Sequence, residues 1–144
     1  MKVGDAYKLF SKKTEMVDPD TSIDKVVSIF MKEKKIRNIY VVDGETKLVG
    51  MITVNEIFTS VKPDITPNKI AFLLKKKTIK TAKDIMIEPV TVTPEDDLED
   101  ALRTAEVFRI HDIPVCENGR LIGELDPFEL IYGLLKSKKQ VIKR

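Results

Sequence analysis

Apolar positions in this chain fall into short runs whose spacing switches between a helical and an extended period, and the switch happens twice. Ile23, Val26, Val27, Phe30 and Met31 follow the 0, 3, 4, 7, 8 interval that places them on one face of an α-helix. Two β-branched runs come next, Ile39 to Val42 and Leu48 to Thr53, with Asp43-Gly44 between them as a hairpin signal. A closing helix is predicted to carry Val54, Ile57, Phe58 and Val61. The same order then returns. Val17-Asp18-Pro19-Asp20 aligns with Val92-Thr93-Pro94-Glu95 at an offset of 75, and Ile23, Val26 and Val27 fall on Leu98, Ala101 and Leu102. Ile39 to Asp43 meets Ile113 to Glu117, and Leu48-Val49-Gly50 meets Leu121-Ile122-Gly123, each after the loss of one residue where a loop is expected. Asn118-Gly119 supplies the second hairpin turn, and Phe128, Ile131 and Leu135 the second closing helix. Thr21 with Asp24, and Asp96 with Glu99, are the expected helix-start pairs.

Each copy therefore predicts strand, helix, strand, strand, helix, the first copy beginning near Met16 and the second near Val90. The fold class is α/β in composition and α+β in arrangement: two units related by a pseudo-twofold axis, each a small three-stranded sheet with two helices. The expected organisation is residues 1–62 for the first motif with its lead-in, 63–83 for a connector, and 84–144 for the second motif with a basic tail. Pro67 marks a helix start in the connector, which also holds Lys75-Lys76-Lys77. A unit of this size covers only one face of its sheet, so the two are expected to pack together with a cleft near the axis.

Composition narrows the function classes. Hydrophobic residues make up 42% and charged residues 33% of 144, a globular balance, and the net charge of +2 implies no polyanionic partner. A single Cys excludes an internal disulfide and points to a reducing, cytoplasmic setting. Met1 to Phe10 lacks the apolar core of a signal peptide. The longest apolar run, Ile70 to Leu74, falls far short of the about 20 residues of a membrane span. One His and one Cys cannot make an ordinary zinc site, no Gly-rich phosphate loop is present, and Cys116 lies in an apolar strand, so no catalysis and no required cofactor are expected. The tail from Lys136 to Arg144 and the Lys75 to Lys83 stretch are basic, but no aromatics interleave with them. A nucleic-acid-associated regulator is thus a lesser alternative.

The repeat resembles the CBS motif, named for cystathionine β-synthase. Pro94 to Leu98, Ala101, Ile110, Ile113-Pro114-Val115 and Leu121-Ile122-Gly123 carry the resemblance, with Asp84-Ile85-Met86 as the lead-in ahead of Pro89-Val90-Thr91-Val92. The first copy is looser, with Tyr40 in place of Pro and a longer lead-in from Asp5. The resemblance implies a tandem pair, or Bateman module, whose cleft binds an adenosine-containing ligand such as AMP, ADP, ATP, S-adenosylmethionine or NAD. It also implies a homodimer and an effector protein as partners. A scaffolding module with empty clefts is the main alternative.

In that family a Thr or Ser after the Gly contacts phosphate, and an Asp three residues further holds the ribose. Those positions here are Thr53 and Glu56 in the first copy, Asp126 and Glu129 in the second. Ile52 and Leu125 precede them. The basic positions ahead of the central strand are Arg37, followed by Asn38, and His111. Thr53 with Glu56, and Asp126-Pro127 with Glu129, also read as helix caps that need no ligand. Asp126 replaces a hydroxyl with a carboxylate, which predicts that phosphate is taken beside Thr53 and repelled beside Asp126.

Overall fold

The computed structural model describes residues 1–10, 12–61 and 79–142, with side chains as far as residue 138. The helix start expected at Pro67, Lys75-Lys76-Lys77 and the side chains of the tail beyond Lys138 lie outside the described residues. The elements run α1 (Val3–Ala6), β1 (Met16–Val17), α2 (Ile23–Lys32), β2 (Asn38–Val42), β3 (Leu48–Thr53), α3 (Val54–Val61), α4 (Ala82–Ile85), α5 (Leu98–Phe108), β4 (Ile113–Glu117), β5 (Arg120–Leu125) and α6 (Pro127–Ile142). They fold into two compact units. The first holds Glu15–Glu88, and the second holds Met1–Thr14 together with Pro89–Arg144.

The first unit has a mixed sheet in the order β1-β2-β3, with β1 parallel to β2 and β2 antiparallel to β3. Alternate residues Ile39, Val41 and Ile52 face the helices and form a core with Val17, Val26 and Ala82, while Tyr40 and Met51 are buried on the other sheet face. On α2 the buried stripe is centred on Val26, with Ile29 and Phe30 against the core and Met31 exposed. Met31 lies about 140° around the helix from Val26 at about 100° per residue, so the spacing placed it one position too far from the buried face.

The second unit repeats this plan with a shorter sheet, the antiparallel pair β4-β5. Its expected third strand is reduced to one parallel bridge, Val92 to Val115. The cause is chemical. In the first unit the Tyr40 N–H donates to Glu15 O at 3.0 Å, but the corresponding residue of β4 is Pro114, which has no N–H to give. Asn118 and Gly119, at φ 54° and 79°, make the tight turn between β4 and β5.

Each unit borrows its lead-in from across the sequence. Ala82 N–H donates to Thr21 O at 2.8 Å and Lys83 N–H to Pro19 O at 3.0 Å. In the second unit Val3 N–H donates to Asp96 O at 2.8 Å and Gly4 N–H to Pro94 O at 2.9 Å. Val3 and Ala6 are fully buried in the second core, beside Leu98, Ala101, Ile113, Val115 and Leu125. In packing, residues 1–14 therefore join the second unit, and the Asp84-Ile85-Met86 lead-in joins the first. The borrowed segments also cap the long helices. Ile23 N–H, at the start of α2, reaches Lys80 O at 3.1 Å, and Leu98 N–H, at the start of α5, reaches Met1 O at 3.2 Å. The side-chain cap of α2 is Ser22, which accepts from Lys25 N, rather than Thr21. The residue before α5 is Asp97, while Asp96 turns back to accept from Thr93 N at 2.8 Å.

Candidate functional site

In the first unit the β2–β3 register sets Asn38 opposite Thr53 and Ile39 opposite Ile52, so the start of one strand meets the end of the next where α3 begins. Thr53 Oγ1 donates to Glu56 Oε2 at 2.5 Å and accepts from Asn55 N at 3.2 Å. Glu56 Oε2 also accepts from Thr53 N at 2.6 Å. The helix cap read from the sequence is thus formed, with Thr53 Oγ1 on the second-position amide and Glu56 reaching back to the Thr53 amide, both side chains half-buried. Arg37 stands exposed just before β2, and buried Asn38 donates from Nδ2 to the Tyr40 hydroxyl at 3.2 Å. A hydroxyl, a carboxylate and a cation are carried by three adjoining chain segments beside the first turn of α3, whose amides favour negative charge.

The second unit places the same positions differently. Asp126 is half-buried and caps α6 through Phe128 N at 2.7 Å. Glu129 is fully buried. Its Oε1 accepts from Asp126 N at 2.9 Å and from the Lys12 ammonium, and its Oε2 accepts from Phe10 N at 3.0 Å. Lys12 Nζ donates as well to Tyr7 O at 3.0 Å. His111 is exposed and Asp112 beside it buried. Ile52 and Leu125, included among the candidate contacts, direct their side chains into the two cores and leave only backbone for a ligand.

Lys12 and Phe10 were invisible to sequence reasoning because they reach Glu129 across more than a hundred residues through the borrowed lead-in. The only local sign was the longer spacing between lead-in and first strand. Elsewhere, burial pushes the Cys116 thiol up, as suits an inert core thiol. Among the described residues no three His, Cys, Asp or Glu side chains gather as metal ligands, and no helix is long and apolar enough to cross a membrane.

The CBS domain family matches residues 3–63 and 82–136. A CBS domain-containing protein from Thermotoga maritima has a solved structure 32% identical in sequence, covering 94% of this chain and 95% of that one with a TM-score of 0.77. The structure of CBSX2 in complex with AMP is 27% identical, covers 95% of this chain and 98% of that one, and gives a TM-score of 0.78. The chloroplastic CBS domain-containing protein CBSX2 of Arabidopsis thaliana is 27% identical over 144 residues, 87% of this chain. This chain spans 60% of the length of that protein.

Proposed function

The chain belongs to the CBS domain family, as a tandem pair, and from that premise we propose that it is a non-catalytic regulatory module that senses an adenosine nucleotide at the Thr53 position of its first unit. The observation that carries this reading is the Thr53–Glu56 pair at the start of α3, with Arg37 at the edge of the adjoining strand. In the bound state the Thr53 hydroxyl turns its one proton from Glu56 to a phosphate oxygen, the first-turn amides of α3 donate beside it, and the Arg37 guanidinium supplies the countercharge. Glu56 keeps Oε2 on the Thr53 amide, and its Oε1 accepts from the ribose hydroxyls. The related CBSX2 structure in complex with AMP supports this ligand class. Occupancy then alters how the module meets an effector protein in the cytoplasm, where we place it as a homodimer.

A second reading, an interaction scaffold, is favoured by the exposed apolar stripe on each closing helix: Val54, Phe58 and Val61 on α3, and Phe128, Ile131, Tyr132 and Leu135 on α6. Thermal unfolding with AMP, ADP, ATP, NAD and S-adenosylmethionine separates the two. A nucleotide at about 100 times its Kd raises stability by about 2.7 kcal/mol, which a melting curve resolves. No shift with any of them at millimolar concentration selects the scaffold.

A further inference from the structure

We infer that the lead-in through Phe10 and Lys12 is a built-in plug of the second unit's ribose position, so that the chain is a one-site nucleoside binder whose second site opens only when Lys12 leaves Glu129. The inference rests on the reading above, that the Glu three residues into each closing helix is the ribose acceptor. Glu129 cannot serve as one in the observed structure. Both of its oxygens accept from the protein, and the side chain has no exposed surface by which a hydroxyl could reach it. A carboxylate buried this completely requires a paired charge, and Lys12, whose side chain is 20% exposed, supplies it from the rim.

The first unit is built otherwise. Ten residues separate α1 from Val17 at the first strand, whereas six separate α4 from Val92, its counterpart. The shorter segment runs directly along β3, where Ile87 and Met51 exchange both backbone hydrogen bonds at 2.9 and 3.0 Å. The longer one has four extra residues and reaches the carboxylate at the start of α6 instead. Glu56 is only half-buried, and the hydrogen bonds seen at its carboxylate among the described residues come from Thr53, its own cap. The asymmetry between the two positions thus has a second cause besides Asp126: one acceptor is open and the other is held shut by an internal cation.

Calorimetry with adenosine, which carries no phosphate for Asp126 to repel, tests this on the full chain as wild type, Lys12→Met and Lys12→Arg, with circular dichroism to confirm folding. The expected result is one adenosine per chain for wild type and Lys12→Arg, and two for Lys12→Met. Should Lys12→Met fail to fold, Lys12→Gln, which is uncharged and one bond shorter and so does not hold Glu129 as the ammonium does, is expected to show the second site in its place. Two adenosines bound by wild type, or one by the folded Lys12→Met or Lys12→Gln chain, overturns the plug while leaving the reading of the Thr53 position intact. No adenosine bound by any form overturns the plug, and failure of AMP to bind wild type as well overturns the reading of the Thr53 position.

Discussion

At Asp84, an exposed carboxylate in the short helix α4, three donors converge on one oxygen: the Lys80 and Thr81 amides, each at 2.9 Å, and the Thr81 hydroxyl at 3.1 Å. The Lys80 amide foremost, then the Thr81 amide, holds this carboxyl below the usual carboxylate range. Its contribution to stability is complete above the unfolded carboxylate range and is lost as pH falls through the folded value. Asp84→Asn is therefore expected to lower the urea midpoint of the chain at pH 7, with the gap to wild type closing as the pH falls toward 3. An equal gap at both pH values would show that the carboxylate charge does not matter. At this scale the sequence was informative where partners are near neighbours. Thr53 with Glu56 and Asp126 with Glu129 form the caps that their spacing announced. Ser22 and Thr21 carry equivalent hydroxyls side by side, and only the backbone angles decide that Ser22 does the capping.

Among the elements, the long helices and hairpins were legible because periodicity and turn residues report on a face buried within one segment. Short α1 and α4 were not, since four residues carry too few apolar positions to show a period. Their placement depends instead on hydrogen bonds between remote segments, Val3 to Asp96 and Ala82 to Thr21. The two strand glycines record that placement. A Cβ on Gly123 would sit 2.7 Å from Tyr7 Cε2, and one on Gly50 would sit 2.7 Å from Met86 Cγ and closer still to its sulfur. Each glycine thus makes room for the side chain that follows a borrowed helix. The rigid Tyr7 ring has less freedom to move aside than the Met86 chain. Gly123→Ala is expected to cost about 1–3 kcal/mol in chemical denaturation by displacing Tyr7. Tyr7→Ala in the same chain should remove most of that cost, since the clash goes with the ring. A Gly123→Ala penalty that is undiminished in the Tyr7→Ala background would contradict the packing described.

For the molecule as a whole, the family and the repeat were evident from residue pattern, whereas the exchange of lead-ins and the internal ion pair at Glu129 were not, because both arise from packing between distant segments. The exposed stripes on α3 and α6 predict a homodimer, and light scattering at tens of micromolar should give twice the chain mass; a monomer there would argue against it. Under the function proposed above, the nucleotide goes to the first unit. A phosphate about 4 Å from the Asp126 carboxylate meets a repulsion of about 1 to 4 kcal/mol, or about one to three decades of affinity, whereas Thr53 offers a donor. Removing that donor from a charged acceptor should cost about 1.5–3 kcal/mol, or one to two decades. The most direct test is calorimetry with AMP on wild type, Thr53→Ala and Asp126→Thr. The expectation is that wild type binds AMP, that Thr53→Ala binds it more weakly and that Asp126→Thr retains it. Loss of AMP binding in a folded Asp126→Thr chain, with Thr53→Ala unaffected, would contradict it.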